Sequence, residues 1–163
     1  RERMWDYASH EHGARVLQYR LNYAVELRYG VILDVAKKVW SGEVIDVSMG
    51  YANCIWQGYA NAVALQCFAL ATSPPAILNV TGLERISIRD LAARMGELLG
   101  KKPNLTGSEA PTALLSNATK CRELFGEPDV SIDVLCMWIA HWIKSGGKTL
   151  SKPTHFETRD GKF

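Results

Sequence analysis

The residues best suited to chemistry lie in one short stretch, Arg20-Leu-Asn-Tyr-Ala-Val-Glu-Leu-Arg-Tyr-Gly30. An apolar run over residues 16 to 21 gives way to Asn22 and Tyr23, then to Glu26 and Arg28, and Gly30 opens the next periodic segment. In open α/β sheets, ligands bind beyond the carboxyl ends of strands, where polar loop side chains emerge from a buried strand. Asn22, Tyr23, Glu26, Arg28 and Tyr29 are the candidates to line such a rim. An amide or a phenol there can hydrogen-bond a polar ligand, and a guanidinium can grip a phosphate or carboxylate with two parallel bonds. The competing reading makes Glu26 and Arg28 solvated loop charges and Tyr29 a cap on the following helix.

Other reactive residues form no constellation. His10 and His12 flank Glu11, but positions two apart diverge on a helix, so no metal site is expected. Cys54, Cys67, Cys121 and Cys136 include no C-x-x-C pair and read as reduced, buried thiols of a cytosolic protein. Three Asn-x-Thr tripeptides, at Asn79, Asn104 and Asn117, read as coincidence, the first because it falls in an expected core strand.

The elements that must position the rim follow from periodicity. Residues 1 to 12 read as a helix with Met4, Trp5 and Ala8 on one face and Gly13 as its stop. Residues 16 to 21 read as a buried strand and 31 to 40 as a helix that Ser41-Gly42 ends. Short strands are expected at 44 to 47 and 53 to 57. A helix from Tyr59 to Ala71 follows, with Ala60, Val63, Ala64, Cys67, Phe68 and Ala71 inward. Next come an apolar strand at 76 to 80 and a helix capped by Ser87 with Asp90, closed by Gly100. A short strand over 104 to 106, a short helix over 117 to 125 and a last helix over 131 to 144 complete the pattern. This alternation predicts an α/β fold with parallel strands, packed helices and a small α/β lobe over residues 1 to 145. Residues 146 to 163 lack periodicity and read as an extended or mobile tail.

With 163 residues, 47% of them hydrophobic and 22% charged, the chain can bury a substantial core. A net charge of +2 with no basic block argues against nucleic acid or an anionic membrane as partner. No apolar run reaches the roughly 20 residues needed to span a bilayer. The opening Arg-Glu-Arg, without an initiator Met, reads as mid-helix, so a fragment is expected.

In order and spacing, Arg20-Leu-Asn22-Tyr23, the helix from Gly30, residues 50 to 57, the Ala-rich helix, Asn79-Val-Thr-Gly82 and Ile86-Ser-Ile-Arg-Asp-Leu91 resemble one family. They are similar to the C-terminal half of extended short-chain dehydrogenase/reductases, the NAD-dependent epimerase/dehydratase proteins. The resemblance implies the C-terminal half of a Rossmann-like fold that includes the substrate lobe. It also implies NAD or NADP as cofactor of the complete protein and a sugar-type substrate. In such a half the strand over 16 to 21 lacks a neighbour, and its free edge predicts a homodimer, by strand or helix exchange or by the first two helices, which form the subunit interface in the family.

The Tyr-x-x-x-Lys pair that relays the proton in the family would lie upstream of Arg1, so no catalytic residue is assigned here and no cofactor is expected to bind this chain alone. Asn22, Tyr23 and Ala24 are implied to face nicotinamide and substrate. Arg28 and Tyr29 are read as substrate contacts, with a surface pair to Glu26 as the other reading for Arg28. Asn53, Trp56 and Gln57 are implied to border the substrate lobe, with core packing as the other reading for Trp56, and Asn79 reads as structural. Three departures stand out: Asn22 comes only two residues after Arg20, Tyr-Gly is displaced to Tyr29-Gly30, and Gly58-Tyr59 replaces the usual Asp. They keep open a second reading, a non-catalytic binding or scaffold protein that retains the fold.

Overall fold

The computed structural model describes residues 1–158. Helix α1 (Glu2–His12) stops at Gly13 and leads into β1 (Leu17–Leu21). A sharp turn at Asn22 and Tyr23 separates β1 from β2 (Ala24–Val25), and α2 (Val31–Ser41) follows. Then come β3 (Val44–Asp46), β4 (Tyr51–Ala52), β5 (Ile55–Trp56) and α3 (Gln57–Gln66), the last running into one 3₁₀ turn at Cys67–Leu70. The chain continues through β6 (Ala76–Val80), β7 (Ile86–Ser87), α4 (Ile88–Leu99), β8 (Asn104–Thr106), α5 (Thr119–Phe125) and α6 (Ile132–Lys144).

Parallel pairing dominates, as the alternation of elements predicts. β1 runs beside β6 with Leu17 opposite Ala76 and Leu21 opposite Val80. β2 pairs with β5 and β3 with β8 in the same sense, while β4 and β7 are antiparallel. Two apolar clusters result. The larger lies among α2, α4 and α6, where Ile32, Val35, Met95, Leu135 and Ile139 are fully buried. The smaller one covers the β1–β6 pair with α3 and α5, through Val63, Leu78, Val80 and Cys121.

Local signals account for most helix ends. The Ser87 hydroxyl accepts the Asp90 amide at 3.2 Å and Ser131 accepts Val134 at 3.3 Å, each satisfying an orphan donor of the first turn. Gly30 opens α2 at φ 126°, a backbone that side chains rarely adopt, and a Cβ there would press on Val25 at 3.0 Å.

Several expected faces are corrected. Met4 and Trp5 are 74% and 59% exposed, and the side of α1 that is buried is Ser9, whose hydroxyl donates to Ser73 Oγ at 3.0 Å. Residues 16 to 21 are not a uniformly buried strand: in β1 Gln18 is buried, while Arg20 and Leu21 are exposed. The Ala-rich helix begins at Gln57 and ends at Gln66. Its continuation tightens to 3₁₀, which keeps Cys67 inside but turns Phe68 out to 74% exposure.

The segment from Lys148 to Thr158 has no helix or strand, yet it is anchored. Leu150 N–H donates to the Arg28 carbonyl at 3.1 Å, and Thr154 donates its amide and its hydroxyl to Asp34 Oδ2 at 2.8 and 2.7 Å. Lys38 pairs with Glu157, and Phe156 joins the main core at 3% exposure. Residues 159–163 of the expected tail lie outside the described residues.

Candidate functional site

The β1–β6 pair ends in a cavity of about 410 Å³. Because the two strands are parallel, their carboxyl ends arrive together, and Asn22 N–H extends the ladder to the Val80 carbonyl at 3.0 Å. Arg20 to Tyr23 form one wall, Asn79 of β6 another, and Leu114 to Ser116 of the loop after β8 the third. The expected rim residues Asn22 and Tyr23 are therefore brought together at the end of the strand. Tyr23 makes the turn in the left-handed region at φ 41°, which sends the chain from the β6 partner to the β5 partner. Burial pushes its phenol above the usual tyrosine range, so it stays protonated at neutral pH.

Behind this wall sits Asn53, buried to 4% exposure. Its Oδ1 accepts from Asn22 Nδ2 at 3.0 Å and from the Ser116 amide at 3.3 Å. Its Nδ2 donates to the carbonyls of Gly82 at 3.1 Å and Ser116 at 2.7 Å. Two donors and two lone pairs are all taken, so the expected substrate contact is instead a tie between three strand and loop ends. Thr81 Oγ1 adds a bond to the Asn53 carbonyl at 3.1 Å. Gly82 is required here, since any Cβ would collide with the Cys54 carbonyl.

The remaining candidates disperse. Ala24 is held in β2 opposite Ile55. Arg28 Nε bonds both oxygens of Glu26 at 3.1 and 3.0 Å on the surface, a pair worth less than about 1 kcal/mol. Arg28 and Tyr29 belong to a tight turn closed by a bridge between Glu26 and Tyr29, and neither lines the cavity. Trp56 packs edge-on against Trp138, with ring centroids 5.7 Å apart, at a separate cleft of about 210 Å³ that also includes Glu84, Glu127 and Ser131. Gln57 opens α3 without reaching either space.

Leu114, Leu115 and Ser116 are the wall that the sequence reading missed. They lie in an aperiodic loop, and only long-range contacts, from Ser116 to Asn53 across 63 residues and from Asn117 to Asn79 across 38, bring them to the cavity. Asn79 has the structural part expected of it: its Nδ2 ties the β6 end to the Asn117 carbonyl at 3.1 Å. Among the described residues no group of His, Cys, Asp and Glu could hold a metal ion, and no helix is long and apolar enough to cross a membrane.

No family model matches the sequence, and no curated protein does. Solved structures do. The Bordetella bronchiseptica enzyme WbmF in complex with NADH is similar at 20% identity and a TM-score of 0.67, over 89% of this chain and 50% of that one. UDP-glucuronic acid 4-epimerase from Bacillus cereus, in complex with NAD, matches at 14% identity and a TM-score of 0.68, over 88% and 48%. GDP-mannoheptose C4 reductase from Campylobacter jejuni, with NADP bound, matches at 14% identity and 0.64, over 86% and 53%. The chain spans about half the length of these proteins, and across that span it has the fold of the Rossmann-like extended short-chain dehydrogenase/reductases.

Proposed function

We propose that this chain is the substrate-binding half of an NAD(P)-dependent sugar or nucleotide-sugar epimerase, dehydratase or reductase. The observation that carries the reading is the cavity where β1 and β6 end together, with the Asn22 and Asn79 amides on its walls. The structural neighbours support it, since two of them, the UDP-glucuronic acid 4-epimerase and the GDP-mannoheptose C4 reductase, are named for nucleotide-linked sugars.

The residues present do not fit a whole dinucleotide. The sequence has no G-x-G spacing to cradle a pyrophosphate, and none of its 6 tyrosines is followed by Lys four positions on. Asn22 and Tyr23 would supply one wall for the nicotinamide ring in the complete protein, and hydride transfer is the chemistry that group would supply there. The role of this chain's own residues is to bind and orient the sugar.

Thermal unfolding tests the reading, because a ligand of the folded state raises the melting temperature. UDP-glucose should raise Tm saturably, Asn22→Ala should abolish the rise, and NAD or NADP should give none. A saturable rise with NAD would show that the chain binds the cofactor unaided, contrary to this proposal. The scaffold reading draws on one observation: Tyr59, beside the position of the usual Asp, donates its hydroxyl to the Gly126 carbonyl at 2.7 Å and is a packing residue. It predicts no response to any sugar ligand.

A further inference from the structure

Past α6 the chain doubles back over the start of α2. Trp142 Nε1–H donates to the Lys148 carbonyl at 3.1 Å and aims residues 148 to 158 in that direction. This strap is held by one apolar plug, Phe156, and by polar ties to Arg28, Asp34 and Lys38. Two features keep it separable from the core it covers. Ser151 and His155 lie in the left-handed region, at φ 51° and 56°, where residues other than glycine are strained. A cavity of about 280 Å³ also remains between strap and helix, lined in part by Asp34, Lys38, Phe156 and Glu157. The paired side chains of Lys38 and Glu157 stay 25% and 30% exposed. A segment with few buried apolar contacts and accessible polar bonds opens before the core does.

The strap holds the loop that shapes the cavity wall. The Arg28 carbonyl, which accepts from the Leu150 amide, lies in the turn that Glu26 and Tyr29 close with backbone bonds of 2.9 and 3.3 Å. Earlier on the same loop, Tyr23 lines the cavity in its own left-handed conformation. Val25 joins the two: it is fully buried, and Gly30, next after the turn, packs against it without room for a side chain. A shift of the turn therefore reaches Tyr23 through packed atoms.

We infer that residues 148 to 158 are a releasable latch: they open as a unit while the core stays folded, and their docking sets the shape of the loop over 22 to 29. Thr154 and Phe156 are then positioning residues for the cavity, acting through the turn and not on the ligand. The consequence for ligand affinity rests on the binding-half reading above; the latch itself does not. Such coupling is reciprocal: the factor by which docking of the strap improves binding is the factor by which a ligand suppresses opening of the strap.

The test is residue-resolved hydrogen exchange of the full chain, read by nuclear magnetic resonance in low urea, with and without UDP-glucose. The Leu150 and Thr154 amides should share one opening free energy and one urea slope, both well below those of Leu135 and Ile139 in the main core. Opening is then forced with the Thr154→Val/Phe156→Ala double variant, which loses a bond to a carboxylate and the apolar plug. Its opening constant should rise about a thousandfold. In that variant the Tyr23 ring resonances should move and the UDP-glucose Kd should rise about fivefold, and saturating UDP-glucose should slow exchange of the wild-type strap by the same factor. Should the double variant fail to fold, the wild-type exchange decides alone. Strap amides that exchange only together with the core would overturn the inference. So would Tyr23 resonances and a Kd that stay unchanged in the open variant, which would reduce the strap to a structural element. If UDP-glucose binds neither protein while Tyr23 moves on opening, the binding-half reading falls and the latch stands.

Discussion

Asn53 shows how one side chain can set the shape of a site without touching its ligand. Asn53→Leu keeps the volume but orphans the Gly82 and Ser116 carbonyls and the Ser116 amide, all held by Asn53. Urea unfolding should show a loss of about 3 kcal/mol, against about 1 kcal/mol for Asn22→Ala. Asn53→Asp should be destabilised at neutral pH, since a carboxylate would face two carbonyls. Stability should partly return in acid, because the protonated form, favoured by the fold, can donate to one of them. The buried thiols set a second pH limit. Burial pushes Cys54 and Cys136 up to about 12, and Tyr19 also reaches about 12. All three are raised above their unfolded values, so their contribution is fully present below about pH 9 and is lost as pH rises toward 12. Melting temperatures should therefore be flat from neutral pH to about 9 and fall above it, and a profile flat to pH 11 would contradict the burial of these groups.

At the scale of elements, the ends of helices were legible and their faces less so. Ser87, Ser131 and Gly100 act through bonds to residues three or four away, so their roles can be read from the local sequence. Ser87→Ala should cost about 1 kcal/mol in chemical denaturation. The switch of α3 to a 3₁₀ turn at Cys67 has no local signature. It depends on Cys67 staying against the β1–β6 cluster while the chain heads back toward Ser9 and Ser73. The segment after Gly147 was legible as aperiodic, but its attachment was not, because Asp34 and Lys38 lie about 120 residues from Thr154 and Glu157. Phe156→Ala should cost about 3 kcal/mol in the same assay, the penalty of a cavity in the main core. A change under 0.5 kcal/mol, the range of surface substitutions, would mean that this segment is not held there in solution.

At the scale of the molecule, β1 and β6 pair with each other and have no further strand beside them among the described residues. Near them Trp5 and Phe68 share the rim of a groove of about 570 Å³, and Met4 and Leu65 are 74% and 76% exposed. An apolar surface of this kind beside an open strand edge favours association. Sedimentation at increasing concentration should show a monomer–dimer equilibrium, weakened in the Trp5→Ser/Phe68→Ser double variant. A monomer at every concentration would remove the homodimer from the reading.

The sequence by itself determined the α/β alternation, the parallel sense of the principal strands, most helix ends and the position of Asn22 and Tyr23 at a strand end. Each of these rests on periodicity or on contacts within a turn. Only the tertiary structure decided which amide faces the cavity and which is locked behind it. Asn22, Asn53 and Asn79 are the same in local chemistry and differ only in the distant carbonyls they meet. It likewise moved Arg28 and Tyr29 out of the site and brought Leu114 and Leu115 into it, because the packing of strand ends is a long-range balance that no local pattern encodes.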